Sequence, residues 1–393
     1  MAPPAEYTSE AVAAKSPEHR WVYGSFLWSG EPYRSLVEAN PSWRLPPPGQ
    51  ALEWGAGKYY DTTVARKHPY WRGVDLPHAT KDIDQLRQDI LRWGYCLVED
   101  ALSARQLSAM RGRILEQMEG EQRADIASNT PSGQNINTLV NKGACFVGAI
   151  EHDPDFVQAG PLIEQLVTET LGGGWICHSF LANGARPGGR PQMLHQDQGP
   201  SSPHETETPL LVNTLFVITD MDDANGGTLL IPGSHRRSDD YPQMPPCINL
   251  EARAGTAMLF DGRLWHGTGA NRSCEVRYVA TMSCIKPWMR QQENWVLSVR
   301  PEVLSGASPK LLHRMGFQAL TYGGTCEGHG MGASGRLGDA LGALLPFRQA
   351  LDDGRYVRVG ELSGRSREED LRREYTLRRA REAWRARRAQ SKL

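Results

Sequence analysis

Apolar residues first fall into a regular pattern near residue 80. Ile83, Leu86 and Ile90 recur at the spacing of one helix face, with Asp82 in front as a cap and Gly94 behind as a left-handed exit. A short strand at Tyr95–Val98 follows. Ser103 opens a second helix, Gln106 three residues on completes a capping box, and Leu107, Met110, Ile114 and Met118 make its buried stripe. From residue 175 to residue 290 the period becomes strand-like. Apolar runs at 210–219, 227–231, 256–260 and 276–285 are separated by DDANGG, PGSHRR and GTGANRS, which are turn chemistry. Many short strands at such spacing predict a mainly β fold, a sandwich, barrel or jelly roll.

The pattern divides the chain into three parts. Residues 1–80 are rich in proline and carry Trp21, Trp28, Trp43, Trp54 and Trp71, which suits an extension laid over a core through aromatic anchors. Residues 81–290 form the expected domain. Residues 291–393 are irregular, with a Gly-rich stretch at 321–335 of the kind that forms lids. Their basic helical pattern at 366–390 could pack on the body or on a second copy of the chain as a homodimer.

Composition narrows the class. A net charge of -1 over 393 residues gives no global field toward nucleic acid or an anionic membrane, so neither is an expected partner. The seven cysteines include no C-x-x-C pair, which argues against a disulfide framework or a structural zinc site. The opening residues lack a basic stretch followed by an apolar one, and no run reaches the roughly 18 apolar residues of a spanning helix. The expectation is a cytoplasmic enzyme acting on a small molecule.

Three stretches carry candidate chemistry. In PQMLHQDQGP, His195 and Asp197 stand two apart, so an extended strand would project both to one face, where an imidazole and a carboxylate can grip a divalent metal. In a chain with 11 histidines such a pair alone carries little weight. In NGGTLLIPGSHRR, the glycines allow a tight entry to a strand, and His235, in a polar turn before two arginines, reads as a structural histidine. In GTAMLFDGRLWHGTGANRSCEVRYVATMS, a turn centred on residues 271 and 272 would place His266 and Arg277 opposite each other on paired strands. Two histidines and a carboxylate on one face of an iron are the arrangement of non-haem Fe(II) oxygenases. A 2-oxoglutarate can fill two of the open positions and O2 the last, and its far carboxylate then needs a buried cation, a task suited to the planar fork of Arg277.

Taken in order, H-x-D, N-G-G-T-x-x-x-P-G-S-H, and a histidine followed eleven positions later by arginine resemble the phytanoyl-CoA dioxygenase family, over residues 80–290. The resemblance implies a double-stranded β-helix (a cupin-like jelly roll) with helices outside. It implies Fe(II) held by His195, Asp197 and His266, and 2-oxoglutarate anchored by Arg277 with Thr228 and Gln192 as further contacts. It makes Trp265 and Phe216 cavity walls or core. Relatives that halogenate lack the carboxylate, so Asp197 implies hydroxylation, desaturation or ring chemistry. Members of the family act on many small molecules, and no basic cluster near the motifs suits a CoA phosphate, so tailoring of a specialised, moderately apolar metabolite is the expectation. Two other readings stay open. A cupin-like metalloenzyme that does not use 2-oxoglutarate, an isomerase or simple dioxygenase, would have no special need of Arg277. A metal-free binding module would not need the His195, Asp197 and His266 set.

Overall fold

The computed structural model describes residues 69–192, 194–198, 208–236, 245 and 247–317, with strands β1 (Leu52–Trp54) and β2 (Lys58–Tyr60) forming a small hairpin before them. The glycine-rich stretch, the basic C-terminal pattern, Trp21, Trp28 and Trp43 lie outside the described residues. After the hairpin come β3 (Ala79–Thr80), helix α1 (Ile83–Trp93), β4 (Tyr95–Val98) and helix α2 (Ala104–Arg123). The hairpin of β5 (Ser128–Thr130) and β6 (Gly133–Ile136), helices α3 (Ala144–Ile150) and α4 (Gly160–Leu171), and strand β7 (Ile176–Ala185) follow. The remaining strands are β8 (Leu211–Val217), β9 (Leu229–Leu230), β10 (Ile248–Asn249), β11 (Ala257–Asp261), β12 (His266–Gly267) and β13 (Arg277–Ile285).

The capping signals read from the sequence set the first helices. Asp82 accepts hydrogen bonds from the Asp84 and Gln85 N–H groups, and Gly94 closes α1 at φ 81°, its N–H donating to the Ile90 carbonyl. Ser103 and Gln106 form the reciprocal capping box of α2, whose Met110, Ile114 and Met118 are buried; Leu107 is only half-buried. A Cβ at position 94 would sit 2.5 Å from His235 Nδ1, in a backbone conformation that already favours glycine. Gly94→Ala is therefore expected to lower unfolding free energy by about 2 kcal/mol or more. Urea denaturation reads this directly, and an unchanged midpoint would mean that the helix exit relaxes freely.

Two sheets carry the fold. The larger runs β3-β4-β11-β8-β13-β7-β6-β5, and the smaller runs β10-β9-β12, extended by an isolated bridge between His195 and His266. Past β8 the chain alternates between them: β9 and β10 lie in the small sheet, β11 in the large, β12 in the small and β13 in the large. That crossing, with antiparallel neighbours throughout the β11-β8-β13 centre, is a double-stranded β-helix. Every residue of β8 is buried, and α4 packs against this strand. Leu215, Val217, Leu230, Ile248, Leu250, Met258, Phe260 and Val279, drawn from both sheets, share one core cluster. Trp71 joins that cluster and meets Trp93 edge-on at 6.4 Å.

The β5-β6 hairpin, α3, α4 and β7 lie outside the elements that periodicity predicts. The hairpin shows why: apart from Ile136 the buried side chains of its strands are polar, and the Arg186 guanidinium donates to Asn129 Oδ1 and Gln134 Oε1. Side-chain hydrogen bonds there replace the apolar alternation by which a strand is read. The 227–231 run shortens to Leu229–Leu230 because Gly226, at φ 84°, and Gly227, whose N–H donates 2.7 Å to the Asp222 carbonyl, still belong to the turn.

The chain divides into one unit of Met1–Gly173 with Ser179–Ile285 and another of Gly174–His178 with Lys286–Leu393. Among the described residues of the second are three short helices, α5 (Trp295–Ser298), α6 (Pro301–Ser305) and α7 (Pro309–Arg314). Within it Arg314 stacks 3.3 Å above the Trp175 ring and donates to the Trp175 carbonyl at 2.8 Å. No helix among the described residues is long and apolar enough to cross a membrane.

Candidate metal centre

His195 and His266 face each other across the smaller sheet. Each backbone N–H donates to the other's carbonyl, at 2.9 and 3.0 Å, and the rings lie 4.5 Å apart. Asp197 falls in a bend just after, not on an extended strand as its spacing suggests. The bend is pinned on both flanks: Gln196 Nε2 donates to the Arg263 carbonyl at 2.5 Å, and the Gln198 N–H to the Gly262 carbonyl at 2.9 Å. The Asp197 carboxylate reaches both imidazoles, Oδ1 lying 3.4 Å from His195 Nε2 and Oδ2 3.4 Å from His266 Nε2. One ligand-capable atom from each of the three lies within 4.8 Å of the others, the one such group among the described residues.

The donor set fits a first-row divalent metal. His266 Nδ1 lies 2.9 Å from the Leu264 carbonyl, which can only accept, so Nδ1 carries a proton and Nε2, 3.4 Å from Asp197 Oδ2, is the nitrogen that a metal would take. Burial alone would raise the Asp197 carboxyl, but the positive field of His266, with hydrogen bonds from both imidazoles, holds it well below the usual carboxylate range. It is ionised at neutral pH, as a ligand must be.

Arg277 opens β13 and is only 2% exposed. Its Nε and Nη2 donate to the Gly226 carbonyl at 3.1 and 2.7 Å. That acceptor explains the N-G-G motif: the left-handed φ of Gly226 turns the peptide, and a Cβ there would come within 2.8 Å of the Gly269 carbonyl. Burial pushes the guanidinium down to about 10, which leaves it charged at neutral pH. Among the described residues no carboxylate pairs with it. A buried cation without a counter-ion is costly unless an anion joins it.

His266 and Arg277 are not cross-strand partners, contrary to the hairpin register expected from the sequence. His266 pairs with Leu230 in the small sheet, whereas β13 pairs with β8 in the large one. The stretch between them crosses from one sheet to the other, as β-helix winding requires, so the two residues lie in different sheets. One short stretch connects them: Gly226, in the turn, accepts from Arg277, and Leu230, on β9, pairs with His266. Thr228 lies between, 4% exposed, its carbonyl accepting from the Leu250 N–H at 2.8 Å. Gln192 is exposed, with Oε1 accepting from the Thr268 N–H at 3.2 Å, so the structure ties it to the edge of the small sheet. Phe216 is fully buried on β8, and Trp265 packs on a small cluster of Leu194, Leu229, Ile231 and Cys247. His235 stands apart from the metal group, buried under α1, and burial pushes it down to about 4, so it is neutral.

Two polar residues escaped the sequence reading. Asn213 Nδ2 donates to Asp197 Oδ2 at 2.8 Å, and Ser283 Oγ donates to Asn213 Oδ1 at 2.5 Å. Their available signal was a polar side chain inside an otherwise apolar strand, LVNTLFV for one and RYVATMSCI for the other.

Residues 90–279 match the family model described as Phytanoyl-CoA dioxygenase (PhyH). The chain is 33% identical over 167 residues to a dioxygenase designated af480 from Aspergillus fumigatus, covering 41% of this chain and 54% of that protein. It is 28% identical over 169 residues to a dioxygenase designated cdmA from Talaromyces verruculosus, covering 40% and 55%. The chain thus spans about half the length of these curated relatives. A solved structure similar in part is that of the non-heme alpha ketoglutarate dependent carbocyclase SnoK from nogalamycin biosynthesis, at 18% identity and a TM-score of 0.45, covering 58% of this chain and 95% of that one. Over residues 90–279 this chain is thus similar to the phytanoyl-CoA dioxygenase family.

Proposed function

We propose that this protein is an Fe(II)- and 2-oxoglutarate-dependent dioxygenase that oxidises an unactivated C–H bond of a small organic metabolite. In this reading His195, Asp197 and His266 hold Fe(II), and Arg277 pairs with the far carboxylate of 2-oxoglutarate. Thr228 faces the cosubstrate between them. Bound at that site, iron supplies the chemistry that couples decarboxylation of 2-oxoglutarate by O2, yielding succinate and CO2, to oxidation of the substrate. The chain's own residues orient these partners, and the apolar walls of the β-helix exclude water. The observation that carries the reading is the presence, in one β-helix, of a His–Asp–His group and a buried guanidinium whose acceptor is a neutral carbonyl. A metalloenzyme without 2-oxoglutarate leaves that cation unexplained. The fungal relatives' naming as dioxygenases supports the class. The substrate proposed is a specialised, moderately apolar metabolite, with hydroxylation, desaturation or ring chemistry as the outcome.

The test is anaerobic addition of Fe(II) and then 2-oxoglutarate to the protein. A weak visible charge-transfer band that needs both additions is the expected result. Folded protein giving no band at saturating concentrations of both would overturn the reading.

A further inference from the structure

Asp197 has two oxygens, and the structure treats them differently. Each faces one imidazole at 3.4 Å, Oδ1 toward His195 Nε2 and Oδ2 toward His266 Nε2, but only Oδ2 also accepts from Asn213 Nδ2, at 2.8 Å. The ionised Asp197 carboxylate can only accept, so it fixes the Asn213 amide with Nδ2 toward it, and Ser283 Oγ then donates 2.5 Å to Asn213 Oδ1. Turning the amide would set Oδ1 against a carboxylate oxygen, two acceptors face to face, although the hydroxyl can adapt to either orientation. Asn213 and Ser283 are cross-strand partners on β8 and β13, so the sheet holds the pair in place. Both are well buried, at 0% and 8% exposure, in largely apolar strands. Polar groups at such positions persist where every bond they make is satisfied.

We infer that Asn213, hydrogen-bonded to Ser283, is a positioning residue that holds the Asp197 carboxylate in one rotation through Oδ2, so that the carboxylate binds a metal through one oxygen only. The consequence is the number of open positions. Two imidazoles and a single carboxylate oxygen leave three positions of an octahedral ion free, two for 2-oxoglutarate and one for O2. A carboxylate gripping through both oxygens would take one of these away. The inference rests on the metal centre proposed above and goes beyond the ligand set to what controls its binding mode.

The test uses the metal-free protein and Co(II), whose visible spectrum reports coordination number. Asn213→Leu removes the hydrogen bonds at similar volume, Ser283→Ala removes the bond to Asn213 Oδ1, and Ser283→Thr keeps the hydroxyl. The expected result is that Asn213→Leu and Ser283→Ala each change the Co(II) spectrum and shift its affinity by about 10- to 100-fold, with Ser283→Thr close to the parent. Folded Asn213→Leu with the parent's spectrum and affinity overturns the inference. If Asn213→Leu does not fold, the two Ser283 variants decide it, and identical behaviour of alanine and threonine overturns it. Failure of the parent protein itself to bind Co(II) instead sinks the metal centre, so the two ideas fail separately.

Discussion

Asp197→Ala is expected to abolish both metal-dependent turnover and the charge-transfer band while leaving the protein folded. The carboxylate is the group that brings the two imidazoles into one set, lying 3.4 Å from each Nε2. Without it two neutral nitrogens remain, and a divalent ion loses its anionic ligand. Losing a hydrogen-bond partner outside the ligand set typically costs 10- to 100-fold in affinity, and losing a ligand should exceed the upper end of that range. Stability should change little, because the Asp197 side chain is 29% exposed and its removal deprives Asn213 of a single partner. Isothermal titration with Fe(II) or Co(II), beside a thermal melt, separates the effects. Parent-like metal binding in the folded variant would remove the basis of the functional reading.

Arg277→Ala should act on the cosubstrate rather than the metal. The guanidinium is 2% exposed, and its hydrogen-bond acceptor is a neutral carbonyl, so a dianionic ligand reaching it would form a charge pair away from water. Removing one partner of such a pair costs about 2 to 5 kcal/mol, or roughly 30-fold to a few thousand-fold in affinity. The expected result is a rise of that order in the 2-oxoglutarate concentration needed for half-maximal rate, with Fe(II) affinity unchanged. Arg277→Lys should recover part of the loss, since an ammonium keeps the charge but not the planar fork. Equal 2-oxoglutarate requirements in parent and alanine variant would mean that the buried cation serves another anion or only the fold.

What was legible in the sequence was local. The caps at Asp82 and Ser103 and the exit at Gly94 appear in the structure as the residues suggest, because a helix end is decided by groups within four residues of it. The β runs were also readable, since apolar side chains alternate wherever one face meets the core. The motifs pointed to His195, Asp197, His266 and Arg277, and the structure brings the first three into one group. Periodicity could not reach the β5-β6 hairpin, whose order comes from hydrogen bonds to Arg186, a residue more than 50 positions away.

Composition and order along the chain determined which side chains are present for chemistry and which segments are strands. Only the tertiary structure decided how those strands alternate between sheets, which placed His266 and Arg277 in different sheets instead of side by side. It alone showed that Asp197 sits in a pinned bend and that Asn213 and Ser283 stand behind it. The physical reason is that hydrogen bonds between residues 16 and 70 positions apart leave no periodic trace in a sequence. They exist only once the two sheets have closed on a common interior.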